Sequence, residues 1–185
     1  MNKRFIEQGF TLTNRKVGQG FTLIELLIVI AILGTLAVVV LLALNPVQQL
    51  ARTRDAGRSS AVTQLGHAIE AYATTRGGAY PTTGTCPTSS WITACLVATG
   101  EIQTTPSVIN YSAGGASCGG ENGFCYAVNG AQSSALIYSR AEAKASNSLC
   151  ATGQNAYFVY STADGRGGVV CTAGNPSPGQ QTFVN

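Results

Sequence analysis

Charge is scarce in this 185-residue sequence: Asp, Glu, Lys and Arg together make up 10% of it. Between Leu26 and Leu44 there is none at all. Histidine occurs once, at His67, and no Cys-x-x-Cys pair is present, so a zinc site of His and Cys ligands has no ligand set. There is no glycine-rich phosphate loop carrying a lysine, no Gly-x-Ser-x-Gly elbow and no His-Glu-x-x-His pair. The enzyme classes those motifs mark find no support here. No catalytic residue, cofactor or metal ligand is expected, and the chain reads as a non-enzyme. A lone helical histidine such as His67 is ordinarily a solvated residue.

The formal charge of +3 comes from 11 Lys and Arg against 8 Asp and Glu, but it is unevenly spread. Lys3, Arg4, Arg15 and Lys16, against Glu7, all lie in the first twenty residues. Beyond Gly20 the charges balance, so no specific nucleic-acid partner is expected. Arg140, Lys144 and Arg166 read as scattered surface charge.

What the sequence has is one long apolar run, "GFTLIELLIVIAILGTLAVVVLLAL", residues 20–44. Its length suits a helix crossing the hydrocarbon core of a membrane. Glu25, five residues in, does not belong there on hydropathy, and ionisable groups inside membrane spans are functional candidates by default. Four Lys and Arg precede the run, whereas Arg52, Arg54 and Arg58 follow it. Positive-inside counting therefore places the N-terminus in the cytoplasm by a thin margin. All six cysteines lie beyond the run, which points the same way, toward disulfides in an oxidising compartment.

After the run, Val47, Leu50, Ala61, Val62, Leu65, Ala68, Ile69 and Tyr72 recur at three- and four-residue steps, predicting an amphipathic helix. Arg52, Asp55, Arg58, Thr63, Gln64 and Glu70 fall largely off that stripe. Gly77 and Gly78 stop it. Pro46 lacks an amide hydrogen, so it either ends one helix and starts another or kinks a single continuous one. "SSWITACLVATGEI" (89–102) reads as a short helix or an irregular loop. Four runs have the β-branched and aromatic content of strands: "GFCYAV" (123–128), "ALIYS" (135–139), "AYFVYS" (156–161) and "GGVVCT" (167–172). Asn129-Gly130 and Asp164-Gly165 supply turns between neighbouring runs. The expected fold class is α+β, a long N-terminal helix packed on a small antiparallel meander.

Six cysteines allow 15 connectivities. Locality favours pairing in order, Cys86–Cys95, Cys118–Cys125 and Cys150–Cys171, each closing a short loop in a glycine-rich head. "QGFTL" occurs twice, at residues 8–12 and 19–23, but only the second copy precedes an apolar run. "NYS" (110–112) matches a glycosylation sequon of a kind that arises often by chance.

Glycine, then phenylalanine, then glutamate at Gly20, Phe21 and Glu25, between a basic leader and an apolar helix, resembles the N-terminus of type IV prepilins and type II secretion pseudopilins. The resemblance covers about the first third of the chain. It implies cleavage between Gly20 and Phe21 by a prepilin peptidase of the inner, cytoplasmic membrane, with N-methylation of Phe21. It also implies a leader over residues 1–20, a transmembrane and assembly helix over 21–44, its amphipathic half over 45–76 and a globular head over 77–185. Glu25 is implied to meet the N-terminal amine of a neighbouring subunit as the chain forms a homo-oligomeric helical filament. An assembly platform and its ATPase are the implied partners. Gly34 and Pro46 are the candidate points of break or kink, because many type IV pilins have a proline where this chain has Leu42.

Three readings follow. A pilin would form an extracellular filament for adhesion, motility or DNA uptake. A pseudopilin would build a periplasmic piston, and the major pseudopilin's calcium loop is poorly matched by a C-terminal segment with Asp164 as its one acidic residue. A membrane-anchored binding domain that never polymerises would have no use for Glu25.

Overall fold

The computed structural model describes residues 20–108 and 119–184. Residues 1–19, which hold nearly all of the expected leader and the first "QGFTL" copy, the sequon at 110–112 and Cys118 lie outside the described residues. The chain divides into two compact units between Leu44 and Asn45.

In the first unit, helix α1 spans Leu23–Ala43, and none of its residues is buried. Leu, Ile, Val and Ala side chains fill it and no proline interrupts it, so its backbone bonds close internally as a lipid phase requires. Among the described residues it is the one helix long and apolar enough to cross a membrane. The helix continues unbroken through Gly34, where no neighbouring atom lies within 4 Å of a built Cβ. One glycine costs a helix about 1 kcal/mol, too little to interrupt it alone.

The second unit opens with helix α2, Pro46–Thr74. Of the two alternatives for Pro46, the structure takes the first: one helix ends and another starts. Asn45 adopts left-handed backbone geometry (φ 33°), and its side-chain oxygen accepts the Gln48 amide at 3.4 Å. Pro46 then occupies the first helical turn, where its missing N–H costs nothing. At the other end Gly77 and Gly78 take positive φ, and the Gly78 amide reaches the Ala73 carbonyl at 2.8 Å.

Ala51, Val62, Leu65, Ala68, Ile69 and Tyr72 form the buried stripe of α2. Two corrections apply to the expected stripe. Val47 and Leu50 are exposed, because the core begins a turn later than the apolar pattern does. Asp55 and Arg58 are buried on the same face, neutralising one another and a partner from the head.

Five strands form one antiparallel meander in chain order: β1 Cys125–Val128, β2 Ala135–Arg140, β3 Asn155–Ser161, β4 Arg166–Thr172 and β5 Phe183–Val184. Ile137 lies opposite Tyr160, and Phe158 opposite Val169. Tyr126, Ile137, Phe158 and Tyr160 pack with Leu65 and Ile69 of α2. Leu136, Tyr138, Tyr157, Val159 and Val170 form a second cluster, so the central strands are apolar on both faces. The C-terminal segment returns to the sheet, Gly179 accepting a hydrogen bond from Ser161 Oγ at 3.0 Å.

Local details differ from expectation. Gly123 belongs to a short 3-10 turn, so β1 starts at Cys125. Between β1 and β2 the left-handed residue is Gln132 (φ 56°), while Asn129 acts through its side chain, accepting the Ser133 amide at 2.9 Å. The expected turn at Asn129-Gly130 does form, the Gln132 amide reaching the Asn129 carbonyl at 3.0 Å. Between β3 and β4 Gly165 does take positive φ, at 63°. Residues Ile92–Val97 form a π-helix after Trp91, whose indole stacks on Tyr126 and donates to the Phe124 carbonyl.

Candidate assembly site at the first helix

Gly20 and Phe21 precede α1 outside regular secondary structure, with Phe21 86% exposed. Thr22 is the N-cap and Glu25 the third helical residue, the spacing of a capping box. Thr22 Oγ1 accepts the Glu25 amide at 3.3 Å. In return both Thr22 donors, the backbone N–H at 2.8 Å and the hydroxyl at 2.7 Å, reach Glu25 Oε2. The helix dipole adds to this, since a negative group is favoured at a helix N-terminus. Glu25 is thus fixed one helical turn past the Gly20–Phe21 bond. The capping role of Thr22 was not read from the sequence, although its signal, threonine three residues before glutamate ahead of an apolar run, is there.

A second polar constellation lies in the other unit. Asp55 accepts hydrogen bonds from the amides of Glu142 and Ala143 and from Ser146 Oγ, each at 2.9 Å. Arg58 is wholly buried and bonds Asp55 at 2.7 Å and Glu142 at 3.0 Å. Arg54 also donates to Glu142, and that hydrogen bond raises its guanidinium above the ordinary range. Paired and hydrogen-bonded in this way, buried charges are tolerated. Their geometric effect is to clip residues 142–146 onto α2.

His67 is largely exposed, and its Nδ1 lies 3.2 Å from the Tyr160 hydroxyl. That hydroxyl donates to Glu70 at 2.9 Å. Burial, then the Glu70 contact, pushes the Tyr160 phenol up to about 12. Arg166 lies over the Phe183 ring at 4.1 Å, and Arg140 bonds Asn155.

Cys86 and Cys95 form a disulfide with Cα atoms 5.9 Å apart, and Cys150 and Cys171 form another at 5.4 Å. Cys125 is disulfide-bonded as well. The first bridge ties the π-helix, through Cys95 within it, to the segment that precedes it, and the second ties the segment after β2 to β4.

Residues 15–41 match the family model described as the prokaryotic N-terminal methylation motif. The chain carries the type IV prepilin and pseudopilin signature. That signature spans the basic pair Arg15 and Lys16, the Gly20–Phe21 bond, Glu25 and nearly all of α1. It supports a substrate of the type IV pilin or pseudopilin class. No curated protein and no solved structure matches the chain. The long apolar helix followed by a five-stranded antiparallel sheet is a pilin-like α+β layout.

Proposed function

We propose that the chain is a type IV pilin, cut between Gly20 and Phe21 and methylated on the new amine of Phe21. It is held in the cytoplasmic membrane by α1, N-terminus inside, and then polymerises into a surface filament for adhesion, motility or DNA uptake. Glu25 carries this reading. It is the one ionisable group on an otherwise uncharged helix whose side chains are all exposed. A plain anchor gains nothing from a carboxylate in lipid, whereas a polymer gains a partner for the cationic amine of another subunit.

A pilin is favoured over a calcium-binding pseudopilin by the C-terminal segment. Its one acidic residue, Asp164, has Oδ2 already accepting the Gln181 amide at 2.9 Å. A calcium loop needs several oxygen ligands, carboxylates among them. The test is to shear surface filaments from cells and identify their subunit by mass spectrometry. A subunit beginning with methylated Phe21 supports the proposal. A chain that keeps its leader in cells with an active prepilin peptidase contradicts it.

A further inference from the structure

We propose that the first two turns of α2, with Lys144 beside them, dock on the anionic phospholipid headgroups of the membrane that α1 crosses. The inference rests on α1 as the membrane span and concerns the subunit before it enters any filament.

Val47 and Leu50 are 60% and 59% exposed, at the start of a helix whose later apolar positions are buried. What lies next to them is set by chain length. Val47 is three residues past Leu44, so it stays within about 11 Å of the end of the apolar run, whatever the angle between the two units. Leu50 follows one helical turn later, about 5 Å further along the axis. The headgroup layer on each side of a bilayer is about 5–8 Å deep. Apolar side chains at that level enter the boundary between headgroups and acyl chains, as the apolar face of an interfacial helix does.

Charge identifies the lipid. Four cations gather at this end of α2: Arg52, Arg54, Arg58 and Lys144. Lys144 comes from ninety-six residues away, its amide donating to Gln48 Oε1 at 3.0 Å, which holds its backbone beside the first turn. Read along the sequence it was scattered surface charge; the fold brings it here. Arg54 and Arg58 are neutralised by Glu142 and Asp55. Arg52 and Lys144 are exposed, and among the described residues neither has an ion-pair partner. Two positive charges are therefore left over at the level of Val47 and Leu50. Each basic residue near an anionic membrane surface contributes about fivefold in affinity. Arg166, which lies over Phe183, is a basic residue outside this group and serves as a control.

Full-length chain is reconstituted into lipid nanodiscs of phosphatidylcholine, alone or mixed equally with phosphatidylglycerol. Broadening of the backbone amide signals of residues 144–147 by a headgroup spin label reports the docked fraction. It is expected to be several-fold greater with phosphatidylglycerol, and to be reduced by added salt. The double variant Arg52→Gln, Lys144→Gln should lower the docked-to-free ratio about thirtyfold and abolish the excess. The double variant Val47→Ser, Leu50→Ser should reduce broadening in both lipids, and Arg166→Gln should change nothing. Equal broadening in the two lipids, or an excess that survives Arg52→Gln, Lys144→Gln, would overturn the proposal. So would wild-type broadening from Val47→Ser, Leu50→Ser together with loss of filaments, because a second copy of this chain would then be what covers those residues. Flotation with vesicles is scored separately. A chain that floats without lipid preference leaves α1 as the span and rejects the docking alone, whereas a chain that does not float removes both.

Discussion

The ring of Tyr160 occupies the space that a side chain at Gly66 would need. A Cβ placed on Gly66 comes within 2.2 Å of both Cγ and Cδ1 of Tyr160. This is how α2 approaches β3 closely enough for the Tyr160 hydroxyl to reach across to Glu70.

Gly66→Ala is therefore expected to destabilise the head. Overpacking costs up to roughly 3 kcal/mol, against about 1 kcal/mol gained by replacing glycine in a helix. The net loss of roughly 2 kcal/mol is measurable as a lowered denaturant midpoint of the detergent-solubilised chain. Unchanged stability would mean that the helix and strand separate freely at this point.

Asp55→Ala is expected to be costlier. It strips one carboxylate from four donors, two of them backbone amides, and leaves Arg58 with half its compensation. Breaking a buried ion pair from one side costs about 3–5 kcal/mol. Arg54→Ala, at the partly exposed rim of the same cluster, should cost much less. Equal losses from the two variants, measured by chemical denaturation, would show that the cluster is not anchored on Asp55.

How much of this was legible in the sequence depends on distance along the chain. The Gly20, Phe21, Glu25 motif is contiguous, and the strands around Ile137 and Phe158 announce themselves by β-branched and aromatic content. Asp55 and Arg58 do not, because a charged pair three residues apart on a helix looks like a solvated face. Its partner Glu142 lies more than eighty residues away, so only the folded chain brings the three together. Val47 and Leu50 mislead in the opposite direction: they keep the apolar period, yet both remain exposed. Strand β5, two residues long, has too few positions to show any alternation.

Alkaline pH is expected to weaken the head. The Tyr160 phenol is raised from its ordinary value near 10 to about 12, and burial raises Tyr126 further still. A phenol whose pKa is higher folded than unfolded stabilises the fold fully below pH 10. That contribution is lost as pH rises through the folded value. Stability should therefore decline between about pH 10 and 12, with phenolate absorbance of these two tyrosines appearing only as the structure opens. Phenolate formation by all seven tyrosines near pH 10 in the folded chain would contradict this.

The role of Glu25 is tested most directly by Glu25→Ala in cells carrying the full assembly machinery. The substitution makes α1 more apolar, so membrane insertion should be unaffected or improved. Cleavage should persist, since Gly20 and Phe21 are untouched. The measurement is the mass of sheared filaments per processed subunit. The expected result is a processed, membrane-embedded chain with few or no filaments, because the Phe21 amine of an incoming subunit meets no carboxylate. Filaments from Glu25→Ala at the wild-type yield would contradict the assignment of Glu25 as the contact through which this chain polymerises.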